Sequence, residues 1–152
     1  MRKIFSCTAY ALFSASIAFA QAPKASISIT EPQDGVEIST LSTMVRGDVQ
    51  NLPADGHIWV LVQPEGINTW YIQGEGERRK TGQDKWSCDV YLGERISLHN
   101  KGYTIMAIIV NDSDNQILKN ALQRKDKDVD DITFENLGKY AQEEIAVKRQ
   151  LR

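Results

Sequence analysis

Apolar residues in this chain recur at every second position, in short runs separated by Pro, Gly, Asn and Asp. "ASISIT" sets Ile27 and Ile29 on one face, and "EPQDG" turns the chain into the brief run "VEIS". "STMVRGDVQ" alternates through Thr43, Val45, Gly47 and Val49. After the loop "NLPADG" come "HIWVLVQ" and "TWYIQ", joined by a Pro-Glu-Gly turn. A polar loop, "GEGERRKTGQ", leads into "KWSCDVYLG", where Trp86, Cys88, Val90 and Leu92 share a face. "YTIMAIIV" follows "NKG", and "EEIAVKR" closes the pattern with Ile145 and Val147 in alternation. A period of two marks strands, because successive side chains of an extended chain point to opposite faces. Short strands at this spacing predict an all-β fold, an antiparallel β-sandwich.

One segment, about 113–142, breaks the period. In "SDNQILKNALQRK", Ile117, Leu118, Ala121 and Leu122 form a stripe at helical spacing, which predicts a short amphipathic helix. Ser113 followed by Gln116 fits a capping box at its start. The next stretch, "DKDVDDITFENLGKYAQ", reads as loop or a second short helix. The whole is a helical insertion before the last strand.

Two strands carry apolar residues on both faces. "HIWVLVQ" has Ile58, Val60 and Val62 on one side and Trp59 and Leu61 on the other, and "YTIMAIIV" does the same. A sheet with one wet face alternates apolar and polar, so something covers the second face of these strands. The insertion can fold back and lay its stripe there, which the shortness of chain connections favours. A partner protein or a second copy of the chain can cover the same patch. The outer face is assigned to Ile58, Val60 and Val62, with Trp70 or Tyr71 exposed beside it on an edge strand.

The stretches "ITEPQDGVEIS", "VRGDVQNLPADGHIWVLVQP", "WYIQ", "KWSCDVYLG" and "IAVKR" resemble the small immunoglobulin-like, fibronectin-III-like sandwich domains of exported bacterial proteins. The resemblance runs from Ile27 to Arg149 and rests on packing signals. It implies a sandwich fold and a binding, adhesive or spacer role, and it brings no catalytic residues. The long helical insertion departs from it.

Composition narrows the class. The chain has 152 residues, enough for one domain with a real core. Residues 1–20 read as a signal peptide: Arg2 and Lys3 begin it, "YALFSASIAFA" is its apolar run, and Ala18-x-Ala20 marks cleavage. The apolar run is too short to span a membrane. The mature chain from Gln21 is one domain, expected in the periplasm or secreted. It keeps 16 of the 18 basic and all 20 acidic residues, a balance of −4. That excludes the phosphate-neutralising surface a nucleic-acid partner requires. Arg78, Arg79 and Lys80 are flanked by Glu75 and Glu77 and read as a solvated loop tip. Cys7 leaves with the signal, so Cys88 has no partner for an internal disulfide.

Candidate chemistry is sparse. Trp86 and Cys88 share a strand face and belong in the core. Arg46-Gly47-Asp48 spells an adhesion tripeptide but falls within a strand, where Gly47 marks a bulge. Asp126, Asp128 and Asp130 open a D-x-D-x-D calcium pattern, yet Asp131 and Leu137 stand where an EF-hand takes glycine and glutamate. A weaker calcium site on these aspartates stays open. Asp112 and Asp114 read as a turn and helix cap. His57, His99 and Cys88 lack any recognised zinc spacing, and no nucleophile or phosphate-loop motif is present. The reading is an exported, non-enzymatic protein-binding or accessory domain. A glycan-binding module using an exposed aromatic is the alternative, and an enzyme comes third.

Overall fold

The computed structural model describes residues 23–78, 84–93, 101–124 and 128–150. Residues 1–20, read from sequence as a signal peptide, and Arg79, Lys80, His99 and Asp126 lie outside the described residues.

Strands β1 (Ser26–Glu31), β2 (Glu37–Ile38), β3 (Ser42–Gln50), β4 (His57–Pro64) and β5 (Thr69–Glu75) follow one another. Then come β6 (Glu77–Arg78), β7 (Lys85–Tyr91) and β8 (Gly102–Val110). The insertion contributes α1 (Asp112–Leu122), β9 (Asp128–Asp130) and α2 (Asp131–Glu135), and β10 (Lys139–Arg149) closes the fold. Among the described residues two sheets form, in the orders β1-β3-β7-β6 and β2-β10-β8-β4-β5-β9. Their pairings are antiparallel except for β2 with β10. The first order, set against β10-β8-β4, is the A-B-E-D and G-F-C arrangement of an immunoglobulin-like sandwich. The expected fold class holds, with the insertion between the strands at positions F and G. Among the described residues no helix is long and apolar enough to cross a membrane.

The chain changes sheet on both sides of the sandwich. Past Pro32 it leaves β1 in one sheet for β2 in the other. At Gly74-Glu75-Gly76 it leaves β5 for β6. A Cβ on Gly76 would lie 2.7 Å from Ile58 Cγ2, so this corner crosses the core too closely for a side chain. The bulge expected at Gly47 falls on its partner strand, between Ile29 and Glu31 of β1. Gly47 itself is flat against Trp86, where a Cβ would come within 2.5 Å of the indole ring.

Two apolar clusters result. Val45, Val49, Trp86, Val90, Ile105 and Val147 lie in the space between the sheets, with Cys88 among them as expected. The second cluster lies on the outer face of the six-stranded sheet, where Trp59, Leu61, Met106 and Ile108 meet Leu118, Ala121, Phe134 and Leu137. The insertion thus folds back over the sheet that it leaves. Its stripe differs from the one read in sequence: Asn115, Leu118 and Ala121 are buried, Leu122 is half-buried, and Ile117 faces outward. Asn115 fits there because its Oδ1 accepts the indole N–H of Trp59 at 2.9 Å. The cap also differs. Asn111 Oδ1 accepts the amide of Asp114 at 2.9 Å, because the helix begins before Ser113 and places that serine inside the first turn.

Candidate functional site

The surface assigned from sequence to Ile58, Val60 and Val62 is corrected by the structure. These residues are 3%, 0% and 2% exposed and belong to the core between the sheets. Register explains it: they stand opposite Ile109, Ala107 and Ile105 of β8, so both strands turn these side chains toward the facing sheet. Trp59 and Leu61 take the outer side, under the insertion. Trp70 is buried as well, its ring 4.9 Å from Phe134 of α2 and stacked at 27°. The strand that carries it is flanked on both sides, by β4 and by β9, which is why it is not the edge its length suggested. Tyr71 is half-buried and shares the face of Val62.

Of the calcium-pattern residues, Asp128 and Asp130 open and close β9, paired with Tyr71 and Thr69. That backbone is extended, unlike the tight loop in which this spacing wraps an ion. No group of three potential metal ligands gathers among the described residues.

Polar side chains from five parts of the chain converge at one end of the sandwich. In variable-type immunoglobulin domains the B–C and F–G connections meet at this end and bind ligand. Here the B–C connection is the loop 51–56, and the F–G connection is the insertion. His57 opens β4 and reaches both ways: Nδ1 is 3.1 Å from Glu75 Oε1, and Nε2 is 2.8 Å from Asp112 Oδ1. Lys119 Nζ lies 3.7 Å from the other oxygen of Glu75. The carboxylates stand on opposite sides of the ring and cannot share one ion with it. Through these contacts His57 fastens α1 to the sheet.

Tyr140 of β10 donates its hydroxyl to Asp55 Oδ2 at 2.9 Å, tying the last strand to the 51–56 loop. That hydrogen bond, with smaller contributions from desolvation and the negative charges of Asp55 and Asp112, raises the Tyr140 pKa. Lys139 stands beside it with Nζ 4.0 Å above the Phe134 ring and 2.8 Å from the Phe134 carbonyl oxygen. Burial lowers its pKa, against the raising effect of Glu135 and Asp114.

An apolar patch lies at the other end. Leu41, Met44 and Tyr91 are 41%, 37% and 42% exposed. Tyr91 pairs with Ser42 and stands diagonal to Met44 on the outer face of β3 and β7, while Leu41 accepts the amide of Leu92 beside them. Sequence reasoning missed all three, together with Tyr140 and Asp55. The signal for Met44 and Tyr91 was present: each is a large apolar residue at an outward position of an alternating strand. No such signal pointed to Tyr140 and Asp55, 85 positions apart.

No family model and no curated protein matches the sequence. Among solved structures the chain is similar to an engineered protein from a structural genomics consortium, at 15% identity and a TM-score of 0.44. That match covers 82% of this chain and 20% of that one. It is also similar to murine CRIg, at 8% identity and a TM-score of 0.34, covering 83% of this chain and 98% of that one.

Proposed function

We propose that this chain is an exported, non-enzymatic accessory domain that docks onto another protein through the Leu41–Met44–Tyr91 face. The observation that carries the reading is the clustering of these exposed side chains at one end of the four-stranded sheet. Tyrosine and methionine are enriched at protein interfaces relative to the rest of the surface. Covering such a patch favours association in proportion to the apolar area removed from water. Export is supported by Arg2, Lys3, the apolar run that follows and the Ala18-x-Ala20 site, which together read as a signal peptide. The non-enzymatic part of the reading rests on the sequence, which carries no recognised nucleophile, zinc or phosphate-loop motif.

The test is a double variant, Met44→Lys with Tyr91→Lys. Met44 faces Asp89 and Tyr91 faces Ser42, so both lysines are tolerated by the strands. With a photo-crosslinker in place of exposed Ser42, which pairs with Tyr91 beside the patch, the chain is expected to form a discrete adduct in its native compartment that the same chain carrying the double variant loses at an unchanged melting temperature. A self-adduct would identify the partner as a second copy. The same adducts from both chains, or none, would sink the reading.

A further inference from the structure

Arg149 ends β10 with its side chain turned into the layer between the sheets, in phase with Ile145 and Val147, and it is 0% exposed. It crosses that layer to the segment after β7, where Nη1 donates to the carbonyl oxygens of Leu92, at 3.1 Å, and of Gly93. Both hydrogens of Nη1 are thereby used. Nε and Nη2 are buried too, and neither has a hydrogen-bond partner. Among the described residues no carboxylate lies within ion-pair distance of this guanidinium. The hydroxyl of Tyr103, a residue 3% exposed, is a second buried donor without a partner in the same layer. Tyr103 stands on β8 opposite Val147, one diagonal step from Arg149, a spacing that aromatic and long side chains bridge.

Burying a guanidinium with its charge uncompensated and N–H groups unsatisfied is strongly destabilising. The open groups are of one kind. Nε–H and the adjacent Nη2–H point side by side in the guanidinium plane, a fork that converges on an acceptor. The Tyr103 hydroxyl can add a third hydrogen. A water molecule would accept these bonds, but it would leave the charge uncompensated and have two hydrogens of its own to place. An anion only accepts, and it brings the opposite charge into a layer whose low dielectric strengthens the attraction. Arg149 is closed to solvent, so the complementary anion is small. A monatomic ion needs little more room than the single buried waters that protein interiors hold.

We propose that a halide ion is bound inside the sandwich at the Nε–Nη2 edge of Arg149, with the Tyr103 hydroxyl as its third donor. The ion joins β8 to β10 within one sheet, and Nη1 of the same guanidinium carries the link across to the end of β7 in the other. It exchanges with solvent when this end of the sandwich opens locally. Like any ligand of the folded state alone, it stabilises the fold by mass action. The site lies between the sheets and is separate from the outward Leu41–Met44–Tyr91 face.

The experiment is urea unfolding of the full chain in sodium fluoride and in sodium bromide at matched ionic strength, beside Arg149→Met. Methionine keeps an apolar stem, and replacing a buried charge by an apolar residue of similar volume is often tolerated. The difference between the two chains removes the general effect of each salt on burial. Relative to Arg149→Met, the wild-type unfolding constant is expected to fall about tenfold for each tenfold rise in bromide above the dissociation constant. Tyr103→Phe is expected to weaken bromide binding about tenfold, the loss of one hydrogen bond to a charged group. Crystals grown in bromide are expected to show an anomalous scattering peak at hydrogen-bond distance from Nε and Nη2. Four outcomes overturn the assignment: the same bromide response in wild type and Arg149→Met, an unchanged response in Tyr103→Phe, no peak at Arg149, or a carboxylate of the chain closing the fork. Should Arg149→Met fail to fold, Tyr103→Phe and the diffraction peak decide.

Discussion

The indole N–H of Trp59 donates to Oδ1 of Asn115 at 2.9 Å, joining the outer face of the sheet to the helix that covers it. Both residues are buried, so the bond satisfies an indole that water does not reach. Asn115→Ala strands that donor, at a cost of about 1–3 kcal/mol. Urea titration is expected to show the loss, and Asn115→Gln is expected to recover little because its longer side chain misplaces the acceptor. An unchanged midpoint for Asn115→Ala would show that the helix contributes little to the stability of the sandwich.

Gly47 is required by contact. A Cβ there would approach the Ser28 carbonyl oxygen and the Trp86 ring, both well inside van der Waals distance. Gly47→Ala is therefore expected to destabilise the fold by about 1–3 kcal/mol or more, through forced movement of β1 or of the indole. A thermal melt checks it, and near-ultraviolet dichroism of Trp86 reports which of the two gives way.

Phe134 stacks on Trp70 and lies beneath the Lys139 ammonium. Phe134→Ala removes a buried ring and opens the Trp70 face to solvent, at a cost of about 3–5 kcal/mol if the site fails to collapse. Tryptophan emission is expected to shift to the red. His57→Ala breaks half-exposed ion pairs and is expected to cost less, about 1 kcal/mol or below.

Tyr140 ionises above its ordinary value of 10.0, chiefly because its hydroxyl is hydrogen-bonded to Asp55. The folded-state pKa is raised, so the contribution to stability is present below the unfolded value and is lost as pH rises through the folded one. Phenolate absorbance, taken as a difference against Tyr140→Phe, is expected to show this titration late. Asp55→Asn is expected to move it down. A titration unaffected by Asp55→Asn would assign the shift to another cause.

The sandwich was legible because a period of two survives any packing arrangement. It gave β3, β4, β7 and β8, the buried Trp86 and Cys88, and the need for a cover over one sheet. Helix α1 was legible through its i, i+4 stripe, but its buried face was set wrongly by one residue. Ile117 is apolar and exposed while Asn115 is polar and buried, because a tryptophan opposite demands an acceptor. Arg149 makes the same point on β10. Its phase with Ile145 and Val147 places it inside, and its charge argues for outside. Burial wins because Nη1 donates to the carbonyl oxygens of Leu92 and Gly93, 57 and 56 positions away.

By itself the sequence determined which positions alternate, where the helical insertion falls and that the two central strands are covered on both faces. Those are properties of local periodicity, carried by near neighbours along the chain. Tertiary structure decided which apolar face of β4 turns inward, that Trp70 is sealed by Phe134, and that Tyr140 meets Asp55 across the chain. The physical reason is that a strand with two apolar faces is symmetric in its own pattern. The choice between them is made by register with β8, by sheet order, and by what the insertion brings down on the other side.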